Sequence, residues 1–262
     1  MNILDKIIIH KREEINSRKL LFPAKSLEKT PAFERNTYSL ADHLILKSPG
    51  IIAEFKRKSP SAGSLNDRTD VSEVVKGYIE SGAAALSVLT DHQFFGGSLA
   101  DLKTARNQCT HPILRKDFII DEYQIIESKT AGADAILLIA EVLTKDQIRT
   151  FSKLARSLSM EVILEINQEE QLDKLSHYIS IVGVNNRNLK NLQVDVNASF
   201  KLAGIIPGHL LRISESGISS PEIIRKLMNS GYRGFLIGEY FMKHHKPQEA
   251  CKRLIERIIE GN

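Results

Sequence analysis

The chain has 262 residues, of which 42% are hydrophobic and 26% charged, and carries a net charge of +4. That length is close to the roughly 250 residues of a one-domain (β/α)8 barrel, so a single domain over residues 1–262 is expected rather than two. Mild positive charge suits an anionic small molecule, while basic runs such as Lys56-Arg57-Lys58 are too short and scattered for a nucleic-acid surface.

Residues 1–48 precede any repeating pattern. Ile3, Leu4, Ile7, Ile8 and Ile15 fall at helical spacing, which predicts an amphipathic helical extension packed on the main body. Simple capping is the preferred role for it, and a lid bordering the active site is the alternative. No signal-peptide core fits the N-terminus and no apolar run approaches the roughly 18 residues of a membrane span. A cytoplasmic protein without membrane contact is expected.

From residue 50 short runs rich in Ile, Val and Leu alternate with amphipathic stretches. They are 50–56, 84–90, 112–116, 134–139, 161–165, 181–185, 211–215 and 234–238, eight in all. Between them, Thr144-Lys-Asp-Gln147 has the pattern of a capping box, and Ser220-Pro221 that of an N-cap before a first-turn proline. Gly82, Gly132 and Gly231 are placed to end helices just before strands. Eight strand-plus-helix units with short links favour a closed parallel α/β barrel, a (β/α)8 TIM barrel, over an open sheet, and no G-x-G-x-x-G follows the first strand.

Buried parallel strands should be almost wholly apolar, yet several of these end in charged or amide groups. The first carries Glu54 and Lys56 on one face, the third ends in Lys116, the fifth in Glu165, the sixth in Asn185 and the seventh in Glu215. All lie at the C-terminal ends, where barrel active sites form, and two lysines facing three glutamates could balance one another there. Lys116 and Glu165 end strands of the same parity and should share an interior layer. A lysine beside a second cation would have a lowered pKa, which would help it release a proton near neutrality.

The loops after the last two strands, Ser214-Glu-Ser-Gly217-Ile and Leu236-Ile-Gly238-Glu239, have glycines where backbone N–H groups could approach a phosphate. Ser59-Pro-Ser61-Ala-Gly63 could add donors. Gly238→Val should therefore raise KM far more than it lowers kcat. Phe94, Phe95 and Phe118 gather near the same end and could enclose a flat ring. Cys109 and Cys251 form no disulfide framework, and the histidines show no ligand spacing, so neither a metal nor a cofactor is expected.

Together, Ile52-Ala-Glu-Phe-Lys-Arg-Lys-Ser-Pro-Ser61, Lys116-Asp-Phe118, Asn185-Asn-Arg-Asn-Leu189, Glu215-Ser-Gly-Ile218 and Leu236-Ile-Gly238 resemble the motif set of the indole-3-glycerol phosphate synthase family. They occur in the family's order and span the barrel. The N-terminal extension matches too, and with one barrel the chain resembles the monofunctional form. The resemblance implies closure of 1-(2-carboxyphenylamino)-1-deoxyribulose 5-phosphate into an indole with loss of carbon dioxide and water. It makes Lys116 the general acid, held and oriented by Glu54, and Lys56 a contact for the substrate carboxylate that in some schemes supplies a proton for dehydration. Glu165 becomes the general base, with Asn185 nearby, Glu215 on the sugar hydroxyls and Arg187 assisting at the carboxylate. Phosphate would lie among Ser59, Ser216, Gly217, Gly238 and the backbone of Glu239, whose carboxylate is an awkward neighbour for an anion. Phe95, Phe118, Leu137 and Leu189 would form the slot for the anthranilate ring. No obligate protein partner is implied.

Two rival readings are weaker. Phosphoribosylanthranilate isomerase would be expected to end its first strand in Cys and its fifth in Asp, where this chain has Glu54/Lys56 and Glu165. A barrel that only binds a phosphorylated ligand would need no set of Lys56, Lys116 and Glu165.

Overall fold

The computed structural model describes residues 1–66 and 69–261. Eight parallel strands, β1 (Gly50–Phe55), β2 (Ala85–Leu89), β3 (Ile113–Lys116), β4 (Ala135–Ile139), β5 (Glu161–Ile166), β6 (Ile181–Asn185), β7 (Leu211–Glu215) and β8 (Gly234–Ile237), pair in sequence order. β8 closes against β1, with Gly50 opposite Gly234 and Ala53 opposite Ile237. Thr144 and Gln147 form the reciprocal cap of the helix Lys145–Ser157, and Ser220 caps the helix Pro221–Asn229 ahead of Pro221. Gly132 ends the helix Glu122–Ala131 at φ 96°, a conformation that glycine adopts without steric cost.

Alternation along each strand divides the core in two. Outward residues such as Val88, Ile136, Leu138, Val162 and Val182 pack under the helices, and inward residues such as Ile52, Leu114, Leu137, Ile163 and Ile213 fill the barrel. The inward face that holds Ile52 and Ile163 continues two residues later to Glu54 and Glu165. Register then gathers the strand ends at one rim: Ile139 opposite Glu165, Asn185 opposite Glu215, and Glu215 opposite Leu236. An apolar plug thus supports a polar floor.

The N-terminal extension reaches both ends of this barrel. The short helix Leu40–Leu46 covers the bottom, where Glu161 at the start of β5 accepts hydrogen bonds from the backbone N–H groups of Leu40 and Ala41. Helix α1 (Ile3–Leu21), started by an Asn2/Asp5 capping box, buries Leu4, Ile7, Lys11 and Ile15. Its first turns stand at the other rim, beside the C-terminal ends of the strands. Among the described residues no helix is long and apolar enough to cross a membrane.

Candidate active site

A cavity of about 400 Å³ opens at the C-terminal rim of the barrel. Its floor is the row of strand ends. Lys116 Nζ lies 3.1 Å from Glu165 Oε2 and 3.8 Å from Glu215 Oε2. The other oxygen of Glu165 accepts a hydrogen bond from Asn185 Nδ2 at 3.1 Å, so this carboxylate is held from two sides. Lys56 Nζ is 2.7 Å from Glu54 Oε1. The direct partner of Glu54 is therefore Lys56, whereas the resemblance had Glu54 orienting Lys116; Glu54 reaches Lys116 only through its charge.

Room for this cluster depends on Gly183, inside β6. A Cβ there would press against Ile163 and the Glu215 carboxyl, whose Oε1 has no hydrogen-bond partner among the described residues. The signal was present in the sequence as a glycine within the strand 181–185, and glycine inside a strand marks such a close approach.

The loops add the walls. Ser59, Ser216, Gly217, Gly238 and Glu239 all border the cavity at one side. Ser216 and Gly217 have φ of 67° and 72°, two successive left-handed residues at the end of β7. Glu239 turns its carboxylate to Arg187 Nη2 at 3.1 Å and Lys243 Nζ at 2.7 Å, which neutralises the charge that looked awkward beside an anion. Arg187 is thus already engaged at the rim.

An apolar slot shares the cavity. Phe95 and Phe118 face each other with ring centroids 6.0 Å apart, and Leu189 completes the slot. Leu137 does not border it: this residue is fully buried one layer down the inward face of β4, and Ile139, two residues nearer the rim, takes its place. Phe94 turns away to pack on His10 of α1, 5.9 Å between ring centres. Ile3, Leu4 and Ile7 of α1 form part of the cavity wall, so the extension is more than the simple cap preferred from sequence.

Beneath the aromatics a buried ion cluster fixes the two loops that carry them. Lys11, 1% exposed, comes from α1 to within 3.0 Å of both Asp91 and Asp117. Asp91 accepts the Phe94 N–H, and Asp117 accepts the N–H of Phe118 and an ion pair from Arg115. Lys11 stands four residues from both Ile7 and Ile15, on the buried face of α1, but spacing along the helix does not show which acids meet it.

With this geometry in view, residues 4–254 match the family model described as indole-3-glycerol phosphate synthase. The chain belongs to that family. It is 44% identical to the indole-3-glycerol phosphate synthase of Bacteroides thetaiotaomicron, over 98% of this chain and 99% of that one. It is 41% identical to that of Polaromonas naphthalenivorans, over 97% of this chain and 98% of the relative. A solved chain of the tryptophan synthase complex from Pyrococcus furiosus superposes with a TM-score of 0.61, covering 82% of this chain and 99% of that one. At 15% identity this is a likeness of fold alone.

Members of the indole-3-glycerol phosphate synthase family are decarboxylating lyases of tryptophan biosynthesis, and the charge states at the rim matter for such chemistry. Burial works against the charge on Lys116, but Glu165, Glu215 and Glu54 outweigh it and raise its pKa above the ordinary lysine value. The expected lowering does not occur, because the nearest charges to Lys116 are carboxylates rather than a second cation. Burial pushes Glu215 up, Lys116 opposes it, and Glu165 and Glu54 raise it again, leaving its pKa at about 8. These shifts favour the ammonium form of Lys116 and the protonated form of Glu215.

Proposed function

We propose that this cavity closes 1-(2-carboxyphenylamino)-1-deoxyribulose 5-phosphate to indole-3-glycerol phosphate, with Lys116 as acid and Glu165 as base. The observation that carries the assignment is their contact, 3.1 Å apart at the rim of the family's barrel and beside an aromatic slot. The carbon of the ring that bears the carboxylate attacks the ketone carbon, and the electron pair of the carbonyl moves to oxygen. Lys116 gives that oxygen a proton. A high lysine pKa does not forbid this, because the developing alkoxide is more basic than the amine, and transfer follows charge as it forms.

The carboxylate then leaves as carbon dioxide, and its bonding electrons restore the benzene ring. Lys56 supplies a proton to the new hydroxyl, which departs as water. Glu165 removes the proton from the carbon beside nitrogen and completes the indole. Two protons are given and one is taken, which balances loss of the carboxylate as a neutral gas. Glu215, carrying its proton, donates to a sugar hydroxyl without setting another negative charge against the substrate. Arg187 and Lys56 face the substrate carboxylate, Asn185 steadies Glu165, and Glu54 holds Lys56.

Phosphate lies against the backbone of Ser216, Gly217, Gly238 and Glu239 and the hydroxyl of Ser59. Phe95, Phe118, Leu189 and Ile139 enclose the ring. Mixing the protein with the carboxyphenylamino substrate and following indole fluorescence tests the proposal. A steady rise with turnover is expected; substrate binding with no indole formed would refute it.

A further inference from the structure

We infer that Asn186 is a positioning residue that turns the Gly217 amide toward the substrate phosphate, which rests on the phosphate placement proposed above. Asn186 follows the last residue of β6, is buried, and does not border the cavity. Its side-chain amide donates to Ser214 Oγ at 3.1 Å and to the Ser216 carbonyl at 3.1 Å. Its Oδ1 accepts from the Ser199 N–H at 3.2 Å and from Ser199 Oγ at 2.8 Å. These four bonds fix which end of the amide faces Ser216, since only the NH₂ end can meet a carbonyl. The Asn186 backbone N–H also donates to the Glu215 carbonyl at 2.9 Å.

Asn186 thus grips two successive carbonyls at the end of β7, just where the chain enters the left-handed region at Ser216 and Gly217. Serine in that region is disfavoured and persists only where its surroundings hold it. The bond to the Ser216 carbonyl is one such restraint. In a trans peptide the N–H points opposite to the carbonyl, so drawing Ser216 O back to Asn186 turns the Gly217 N–H the other way. Gly217 borders the cavity, and a Cβ on it would collide with Val194, so the exposed edge of this peptide is backbone alone. Tyr232 donates to the Ser199 carbonyl at 2.7 Å and closes the far end of the network without reaching Ser216.

Two variants and a control separate positioning from general stability. Asn186→Asp keeps the shape but cannot donate to Ser216 O, and Asn186→Ala removes the donor without adding charge. Either, once shown to be folded, should raise KM and the inhibition constant of inorganic phosphate about tenfold, the size of one lost hydrogen bond, with kcat within about twofold. Tyr232→Phe should lower Tm and leave phosphate inhibition as in the parent. If phosphate competes with substrate in the parent and equally well in a folded Asn186 variant, the positioning role is wrong while the phosphate site stands. If phosphate does not compete even in the parent, the phosphate placement fails and takes this inference with it.

Discussion

A single methyl group at Gly238 should damage the chemistry as well as substrate binding. The backbone there has φ −130°, outside the left-handed region that favours glycine, so the sign of φ is no bar to alanine. The obstacle is Glu54 across the closure of the barrel. A Cβ on residue 238 would stand 2.8 Å from Glu54 Cβ and 2.9 Å from its Cγ, closer than such atoms approach in real proteins. Glu54 is 3% exposed and tied to Lys56 at 2.7 Å, so it has little freedom to yield. Overpacking of this kind costs about 1–3 kcal/mol. Expressed as displacement of Glu54 and Lys56 from their reactive positions, that is roughly a 5- to 150-fold loss in kcat. Expecting KM alone to move treats Gly238 only as open backbone beside phosphate and overlooks what it touches. Steady-state kinetics by indole fluorescence on Gly238→Ala should show kcat falling and KM rising together. In a Glu54→Gly background, which removes both of those carbons, the same change should lose most of its effect, because sites in contact are not additive. An intact kcat with only KM raised would refute the packing argument.

Two further outcomes follow from the walls and the charges. Phe118→Ala should weaken an anthranilate-like inhibitor by roughly two- to tenfold, through loss of the ring pair with Phe95, and spare inhibition by phosphate; equal loss for both ligands would count against a separate ring slot. Glu215 is protonated below its pKa of about 8, and glutamine mimics that neutral form. Glu215→Gln should therefore retain more kcat/KM at about pH 6.5 than Glu165→Gln does, and should lose any basic limb that arises from ionisation of Glu215; equally severe losses would contradict a neutral Glu215.

Much of this site is readable from strand ends alone. Period-two alternation fixes Glu54 and Lys56 on one face, and closure of eight strands forces Lys116, Glu165, Asn185 and Glu215 to converge, as their contacts show. Depth along that face is less visible. Leu137 and Ile139 are both inward and apolar, and only strand stagger around the barrel decides which one reaches the cavity. Distance-dependent effects are not legible either. The pKa of Lys116 moves opposite to expectation because the charges of Glu165, Glu215 and Glu54 act on it, and Lys11 is buried because Asp91 and Asp117 fold to meet it. Gly238 looks like a turn glycine until β8 is laid beside β1.

The most direct test of the acid–base account is single-turnover indole formation by Lys116→Met. This change keeps much of the bulk of the stem but removes the ammonium that lies 3.1 Å from Glu165. The rate of ring closure should fall by roughly 100-fold or more in a folded protein that phosphate still inhibits as in the parent. A folded Lys116→Met protein that closes the ring at nearly the parent rate would contradict the assignment and move the acid's role to Lys56.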